Sequence, residues 1–476
     1  MARICALSLL LEVAELDILS TNQKILSLTE KEGATQAEVY ALLVKTSGIY
    51  IDDDIAKMGT SPTELGFGLK FVIGKKIGYT SSTLTFESIN DFVSRASSMA
   101  RVSDPDPKFK SLPEPKKVSG DNEHFFSKAT AQVESEFLAE KAMQVVESAK
   151  NDHVSVPNGT LRASSVEFNV MNSFGVNARS KSTMVYGYFT AKSEVSGSVG
   201  EGVQRCWSRD ITKIEFDKIG EKLREQAMNV LKAKSFTEKW ENIVAVLTPS
   251  EGSQLVDALI SSSASGENIN RRSSPWTDKV GDVVSNECLT VVDNGKSENG
   301  LLSALVDDEG VPMSETPVIE KGVLRSYLND SYNANQMDLE STGNGMRRGA
   351  REINGAFASP VNCRITTLEV TPSTKSVDDV VSEIDRGVFI EHFAWPQVDP
   401  NSGAFSNEIR NAQLIENGEF TGQIKHALLV GNLYQSLKGN MRLANDLEVQ
   451  GVSNIGYNGS VIMPTMAIPE VELVGQ

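Results

Sequence analysis

The chain has 476 residues, of which 40% are apolar and 23% are charged, as in ordinary globular proteins. Its 63 acidic and 46 basic residues give a formal net charge of −17. Such a field repels phosphate backbones, so we expect no direct nucleic-acid partner. The basic clusters at residues 116–117, 271–272 and 347–351 are short, and we interpret them as solvated surface charge.

The spacing of the cysteines and the hydropathy of the chain indicate in which cellular compartment the protein is expected. The four cysteines form no CxxC motif, which is typical of a reducing compartment and argues against a disulfide framework or a zinc ribbon. An apolar run at residues 4–13 is followed by acidic residues without an A-x-A cleavage site, so we interpret it as an N-terminal helix or a non-native extension. Because no apolar run reaches the ~18 residues of a membrane span, we expect a cytoplasmic protein without a membrane partner.

The first part of the chain predicts a small α/β unit at residues 1–115. Its pattern indicates a helix that stops at Gly33, a strand at 39–51, a hairpin at 65–83 and a helix at about 86–100. The sequence DPDP at 104–107 ends this unit, because X-Pro pairs disfavour helix.

A second α/β unit is predicted at residues 116–238, with the same order of elements. A helix at 137–149 is followed by strands at 166–170 and 183–189 and by a helix at 217–233. The similarity of TSGI at 46–49 to SFGV at 173–176 suggests that this unit repeats the first.

The remaining part, residues 239–476, has a different pattern of residues. A buried strand at 243–247 precedes TPSE at 248–251, which predicts a capping box with proline at the first helical position. A helix follows, and after it the chain is rich in glycine and in short strand-like runs. This predicts a large, mainly antiparallel C-terminal β domain. Because helices and strands are segregated along the chain, we favour an α+β fold over a doubly wound sheet.

Several short motifs follow one another along the chain. The most informative are EIDRGVF at 383–389 and DPNSGAFS at 399–406. Others are the hairpin at 65–83 and DPDP at 104–107, then DEGV at 308–311, KGVL at 321–324, STG at 341–343, ENGE at 416–419, GNL at 431–433, GN at 439–440 and NDL at 445–447. Together and in this order they resemble the TldD/PmbA family of cytoplasmic metallopeptidase subunits, and the resemblance extends over nearly all of the chain after residue 20.

The resemblance implies a zinc site in catalytic members, which carry a His-Glu-x-x-x-His motif on the helix after the strand at 243–247. Two imidazoles one turn apart bind the zinc, and the glutamate acts as a base toward the metal-bound water. Here the matching segment, SQLVDALISSS at 253–263, has neither histidine nor glutamate, and NIGYNGS at 454–460 lacks the family's C-terminal cysteine ligand. Asp257 alone cannot make a transition-metal site, so we expect no metal and no catalytic residue on this chain.

The chain therefore resembles the PmbA/TldE branch, the partner of the catalytic TldD subunit. The implied function is that of a non-catalytic subunit in a zinc metallopeptidase complex acting on unfolded proteins or peptides. Zinc is then expected on the TldD-like partner, and a homodimer is expected when this chain is alone. NRRS at 270–273 resembles the family's Asn/Tyr-Arg-Lys stretch. The candidate residues of the substrate cleft are Asp257, Asn270, Arg271, His392, Ser406 and Asn407.

Two other functions stay open at this point. A stand-alone hydrolase would use a rebuilt site around His392, which follows Glu391 and precedes Trp395 and Asp399, because histidine is the usual acid–base residue. A regulatory protein-binding module related to topoisomerase modulation is the other. GNGMRRG at 343–349 is one residue off a dinucleotide-binding pattern, and we interpret it as a loop.

Overall fold

The computed structural model describes residues 17–59, 61–85, 87–121, 123–347, 355–452 and 459–475. The apolar run at 4–13 and most of the segment at 454–460 lie outside these ranges. Within them the chain forms a seven-stranded, a six-stranded and an eight-stranded sheet, together with a two-stranded one. The predicted α+β fold is confirmed.

The seven-stranded sheet is built from the first half of the chain and is antiparallel throughout. Its strand order is β4-β3-β1-β5-β6-β7, with β2 paired to β1. Its strands are β1 (Gln36–Asp52), β2 (Ile55–Met58), β3 (Thr63–Ile73), β4 (Lys76–Ser82), β5 (Val154–Asn172), β6 (Asn177–Val195) and β7 (Ser198–Ser208).

The second half of the chain supplies the other strands. These are β8 (Lys234–Ser235), β9 (Lys239–Leu247), β10 (Val291–Asn294), β11 (Glu315–Glu320), β12 (Val323–Leu324), β13 (Gly345–Arg347), β14 (Val361–Cys363), β15 (Thr367–Val370), β16 (Arg386–Phe393), β17 (Ala404–Glu416), β18 (Glu419–Lys425), β19 (Ala427–Asn432), β20 (Arg442–Leu443), β21 (Glu448–Gly451), β22 (Ser460–Met463) and β23 (Met466–Gly475). The pairs β9–β16, β8–β18 and β15–β22 are parallel, and the other described ladders are antiparallel, as predicted for this part.

The helices are short to medium in length. They are α1 (Ile18–Lys31), α2 (Ile89–Val102), α3 (Lys128–Ala131), α4 (Ser135–Ala149), α5 (Phe216–Lys232), α6 (Pro249–Ser263), α7 (Gly266–Asn270), α8 (Ser331–Gln336), α9 (Val377–Ser382) and α10 (Leu433–Lys438), with 3₁₀ turns at Glu123–Phe125, Ile211–Lys213 and Ala356–Ala358. Among the described helices, none is long and apolar enough to cross a bilayer.

The residues of β1 show how the two halves of the chain are joined. Side chains alternate between the faces of a strand. Val39 and Ala41 pack with α1 and α2 on one face, whereas Tyr40, Leu42 and Val44 pack on the other face against residues of the second half of the chain. Both faces of this strand are therefore buried, and β1 lies between a helical layer and the C-terminal part.

The first two units take equivalent places in the seven-stranded sheet. In each, a helix precedes three main strands and a second helix follows them, and the sheet is centred on the antiparallel pair β1–β5. The similar segments TSGI and SFGV do not correspond, because the first lies within β1 and the second forms the turn after β5. The repeat and the three domain boundaries stay predictions.

Helix α6 lies inside the C-terminal part. It contacts β21 and β22 of the six-stranded sheet and β9 and β16 of the eight-stranded sheet. Its buried apolar side chains are the ones that the helical period predicts: Leu255, Val256, Leu259 and Ile260. Two sheets therefore fix both the position and the rotation of this helix.

A buried ion pair crosses the boundary between the two halves. Arg347 Nη2 lies 2.5 Å from Glu38 Oε1, and both side chains are fully inaccessible to solvent. The guanidinium also lies over the Tyr40 ring at 5.0 Å and donates from Nη1 to the Ser359 carbonyl at 3.0 Å. The prediction that Arg347 is solvated surface charge is therefore wrong, because a strand of the first half provides its counterion.

Removing one member of this pair should destabilise the protein strongly. In Glu38→Gln the buried Arg347 guanidinium loses its paired carboxylate, so we expect the free energy of unfolding to fall by about 3–5 kcal/mol. Urea denaturation followed by tryptophan fluorescence measures this change. The matched control is Glu320→Gln, which breaks an exposed pair with Arg325 and should cost below about 1 kcal/mol. Equal effects of the two substitutions would contradict the assignment.

Candidate functional site

Helix α6 begins at Pro249, directly after β9, with Thr248 as its N-cap. Proline at the first helical position is confirmed, but the predicted capping box is wrong. Thr248 makes no side-chain capping hydrogen bond, and its buried Oγ1 has no partner in the described part of the chain. The carboxylate of Glu251 is held by β16 instead, where its Oε2 accepts a hydrogen bond from the Phe393 amide at 3.0 Å.

Glu251 is the centre of a polar cluster where β7, α6 and β16 meet. Its side chain is 2% exposed, and its Oε1 lies 3.4 Å from His392 Nδ1 and 4.0 Å from Arg205 Nη1. Burial by itself would raise the pKa of Glu251, but the His392 ring, the Arg205 guanidinium and the Phe393 amide lower it below its usual value. Glu251 is therefore a carboxylate at neutral pH.

A cleft of about 360 Å³ opens beside this cluster, and we name it the α6 cleft. It lies between the two halves of the chain, and polar side chains predominate in its walls: Arg205, Lys222, Glu225, Ser250, Glu251, Glu391, His392, Gln413, Glu448 and Gln450. Burial raises the pKa values of Glu391 and Glu448. Glu391 is oriented by Gln413 Nε2, which donates to its Oε1 at 2.7 Å.

The α6 cleft contains one of the residues predicted from sequence. His392 lies in its wall, and the side chain of this histidine is 18% exposed. Sequence reasoning missed Arg205 and misassigned Glu251. Glu251 carried no separate signal, because a glutamate at the third helical position is ordinarily a capping residue.

Asn270 and Arg271 lie together at another cavity, of about 320 Å³. Asn270 Nδ2 donates to the backbone oxygen and to Oδ1 of Asn333, both at 3.0 Å. Arg271 pairs with Glu267 at 2.8 Å at the surface. We name this space the Glu309 cavity, after the buried carboxylate in its wall.

The other predicted residues lie at neither cavity. Asp257 is partly buried on α6, where Ser261 Oγ donates to its carboxylate and burial raises its pKa to about 6. On β17, Ser406 is exposed, and Asn407 is buried and accepts from the Gln397 amide at 2.9 Å. The six predicted residues thus lie at four places, and their contact with a peptide stays a prediction.

Three family models match consecutive parts of the chain. PmbA/TldA metallopeptidase domain 1 matches residues 37–100, the central domain matches 128–231 and the C-terminal domain matches 241–475. The chain belongs to the PmbA/TldD family. The C-terminal model includes β9, α6 and β16, the elements that form the C-terminal side of the α6 cleft.

This chain is also similar to individual relatives in sequence and in structure. The metalloprotease TldD homolog of Haemophilus influenzae is 31% identical over 211 residues, which are 43% of this chain and 42% of that protein. The match thus spans about two fifths of that relative. The solved structure of TldE from Thermococcus kodakarensis has a TM-score of 0.85 at 22% identity and covers 96% of this chain and 100% of its own.

A protein from Thermotoga maritima described as a candidate modulator of a DNA gyrase is also similar in structure. Its TM-score is 0.83 at 21% identity, over 96% of this chain and 99% of its own. At such identities the two structures show a shared fold.

The name metallopeptidase implies a metal ion, and the donors at α6 do not fit one. The helix has no histidine or cysteine, Glu251 is engaged with His392 and Phe393, and Asp257 is bonded to Ser261. No three His, Cys, Asp or Glu side chains are placed to hold a metal in the ranges that the structure describes. Residues 453–458, which lie outside these ranges, have the sequence SNIGYN and supply none of these residue types.

The carboxyl of Asp257 predicts a pH dependence of stability. Its pKa is about 6 in the folded protein against about 3.9 in an unfolded chain, so protonation of this carboxyl stabilises the folded state. This contribution to the free energy of unfolding is complete below about pH 4 and is lost as the pH rises to about 6. Asp257→Asn lacks this titration. Relative to the unmodified protein, its free energy of unfolding should rise by about 1–3 kcal/mol between pH 4 and pH 8.

Urea denaturation at pH 4, 6 and 8 measures this difference. The control is Gln254→Asn on the same helix, which changes no titratable group, so its difference from the unmodified protein should be the same at all three pH values. A difference for Asp257→Asn that is also constant from pH 4 to pH 8 would contradict the raised pKa.

Proposed function

We propose that this chain is the non-catalytic, TldE/PmbA-like subunit of a TldD-type metallopeptidase complex that acts on unfolded proteins or peptides. The observation that carries the proposal is the donor set of α6, which offers no imidazole or thiolate where catalytic members hold their metal. The likeness to TldE over the full length of that structure supports the same assignment.

The zinc of such a complex belongs to a TldD-like partner subunit, and this chain forms a homodimer when that partner is missing. Its place of action is the cytoplasm. The free thiols of Cys206, Cys288 and Cys363 support a reducing compartment.

The walls of the α6 cleft suit an extended polar chain. Strand β7 is the last strand of the seven-stranded sheet, and its residues Val203, Gln204 and Arg205 line the cleft. An edge strand presents backbone groups that an extended peptide can pair with, and here a peptide would have to displace Gln226 Oε1, which accepts from the Val203 amide at 3.2 Å. The cleft of this subunit would then hold and orient the substrate, while the partner supplies the hydrolytic metal.

The proposal predicts that activity depends on a second chain. The purified protein should contain no stoichiometric zinc and should not cleave fluorescently labelled casein, because it lacks a donor set for the metal. Adding a TldD homolog that carries His-Glu-x-x-x-His should yield cleavage. Elemental analysis and the fluorescence assay measure these outcomes, with the TldD homolog alone as the control. Stoichiometric zinc in the isolated chain would contradict the proposal.

A second candidate function rests on the geometry of His392. Its Nδ1 faces the buried carboxylate of Glu251, and its ring borders a cleft of about 360 Å³. A carboxylate that orients a histidine at a cleft is the arrangement used in general acid–base catalysis. The chain would then hydrolyse its substrate alone and without a metal.

Adding a metal chelator distinguishes the two candidate functions. In the isolated chain with EDTA, the subunit proposal predicts no cleavage of labelled casein. The second candidate predicts cleavage that survives EDTA and falls at least tenfold in His392→Ala, since one proton-transfer group contributes about 10²–10⁴-fold. The control is His153→Ala, which changes an exposed histidine outside the cleft. Cleavage that His392→Ala leaves intact would rule out the second candidate.

A further inference from the structure

The Glu309 cavity is separate from the α6 cleft. The two share no lining residue. It lies where the hairpin β3–β4 meets helices α7 and α8, so residues of both halves of the chain form its walls. Its volume of about 320 Å³ is at the lower end of the range for small-molecule sites.

Two carboxylates form the deep end of this cavity. Glu309 and Asp330 are each 2% exposed. Glu309 Oε2 accepts from the Ser331 amide at 2.8 Å, and Asp330 Oδ1 accepts from the Asn333 amide at 2.7 Å. Burial raises the pKa of Asp330 and raises that of Glu309 to about 7, although the charge of Lys70 opposes the shift. Lys70 lines the same cavity, and an ammonium group bound beside Glu309 would favour the ionised form of that carboxyl.

An unsatisfied hydroxyl lies in the same wall. Ser331 is 7% exposed, and its Oγ has no hydrogen-bond partner in the described part of the chain. Buried hydroxyl groups are ordinarily hydrogen-bonded, because leaving one without a partner costs about 1–3 kcal/mol. A ligand group that exchanges hydrogen bonds would remove this cost.

The outer end of the cavity carries the opposite charge, and one wall is apolar. Lys108 is exposed, and the Arg271 side chain is 68% exposed. Phe109 and Leu112 are buried beside them and line the space. Two buried acids are therefore deep, whereas the entrance has Lys108 and Arg271 against one carboxylate, that of Glu267, which pairs with Arg271 at 2.8 Å.

We propose that the Glu309 cavity binds a small amino-acid zwitterion with an apolar side chain. The ammonium lies against Glu309, Asp330 and Ser331 Oγ. The carboxylate lies toward Arg271 and Lys108, and the side chain contacts Phe109 and Leu112. The separation of the two charges by depth is what selects a zwitterion over a simple amine or acid. This site goes beyond the proposed subunit function and does not depend on a partner chain.

Calorimetric titration of the full chain with L-leucine tests the proposal. 3-Methylbutylamine lacks only the carboxylate, and 4-methylpentanoate lacks only the ammonium. We expect leucine to bind with a Kd in the millimolar range or below and each analogue to bind at least tenfold more weakly, because each loses a charge-assisted contact. Leucylglycine distinguishes a free amino acid from a peptide terminus as the ligand. No binding of leucine or leucylglycine at millimolar concentrations would overturn the proposal.

Two variants locate the binding. Ser331→Ala should weaken leucine binding about fivefold, as the loss of one hydrogen bond predicts. Arg271→Gln should weaken leucine about tenfold and leave 3-methylbutylamine unchanged, since the amine has no carboxylate to lose. Arg325→Gln is the matched control, because it removes an exposed arginine that also pairs with a glutamate but lies outside the cavity. Equal effects of the Arg271 and Arg325 substitutions would place the ligand elsewhere.

Discussion

The pairing of Arg347 with Glu38 is the contact on which the arrangement of the two halves depends. A guanidinium that is buried away from solvent is stabilised by a paired anion. Here the anion is the carboxylate of Glu38, on a strand that lies early in the chain. The strand that ends with Arg347 also provides its amide to Asp308 at 2.5 Å. Glu309, the next residue after Asp308, forms the deep end of a cavity. The ion pair thus fixes β1 against the loop from which that cavity is built.

Local patterns in the sequence were sufficient for several regular elements of the first half, whereas β7 and most strands of the second half were not predicted individually. Helix α1 stops at Lys31, and Gly33 follows with φ +87°, as the predicted stop requires. The turn of the predicted hairpin, between β3 and β4, contains Gly74 at φ +63°. Such features depend on residues a few positions apart. The α+β fold follows from their order along the chain.

The candidate site could be predicted only in part, because its contacts join distant residues. Glu251 meets His392 across 141 positions, and nothing near Glu251 distinguishes it from a capping residue. Arg347 in a basic cluster has the local pattern of surface charge. The family resemblance selected Asn270 and Arg271 as candidate cleft residues, and the structure adds the buried acids that line the same cavity. Which polar side chains become buried is decided by the packing of the two halves.

The central pair of the seven-stranded sheet has a consequence for how the chain folds. Strand β1 pairs with β5, which the ribosome makes only after helices α1 to α4 are complete. Until then one edge of β1 has unpaired backbone groups and its Tyr40 face has no cover. Non-local pairing of this kind slows folding and favours association between incomplete chains. Chains that are still incomplete therefore expose an edge and an apolar face that the complete chain covers.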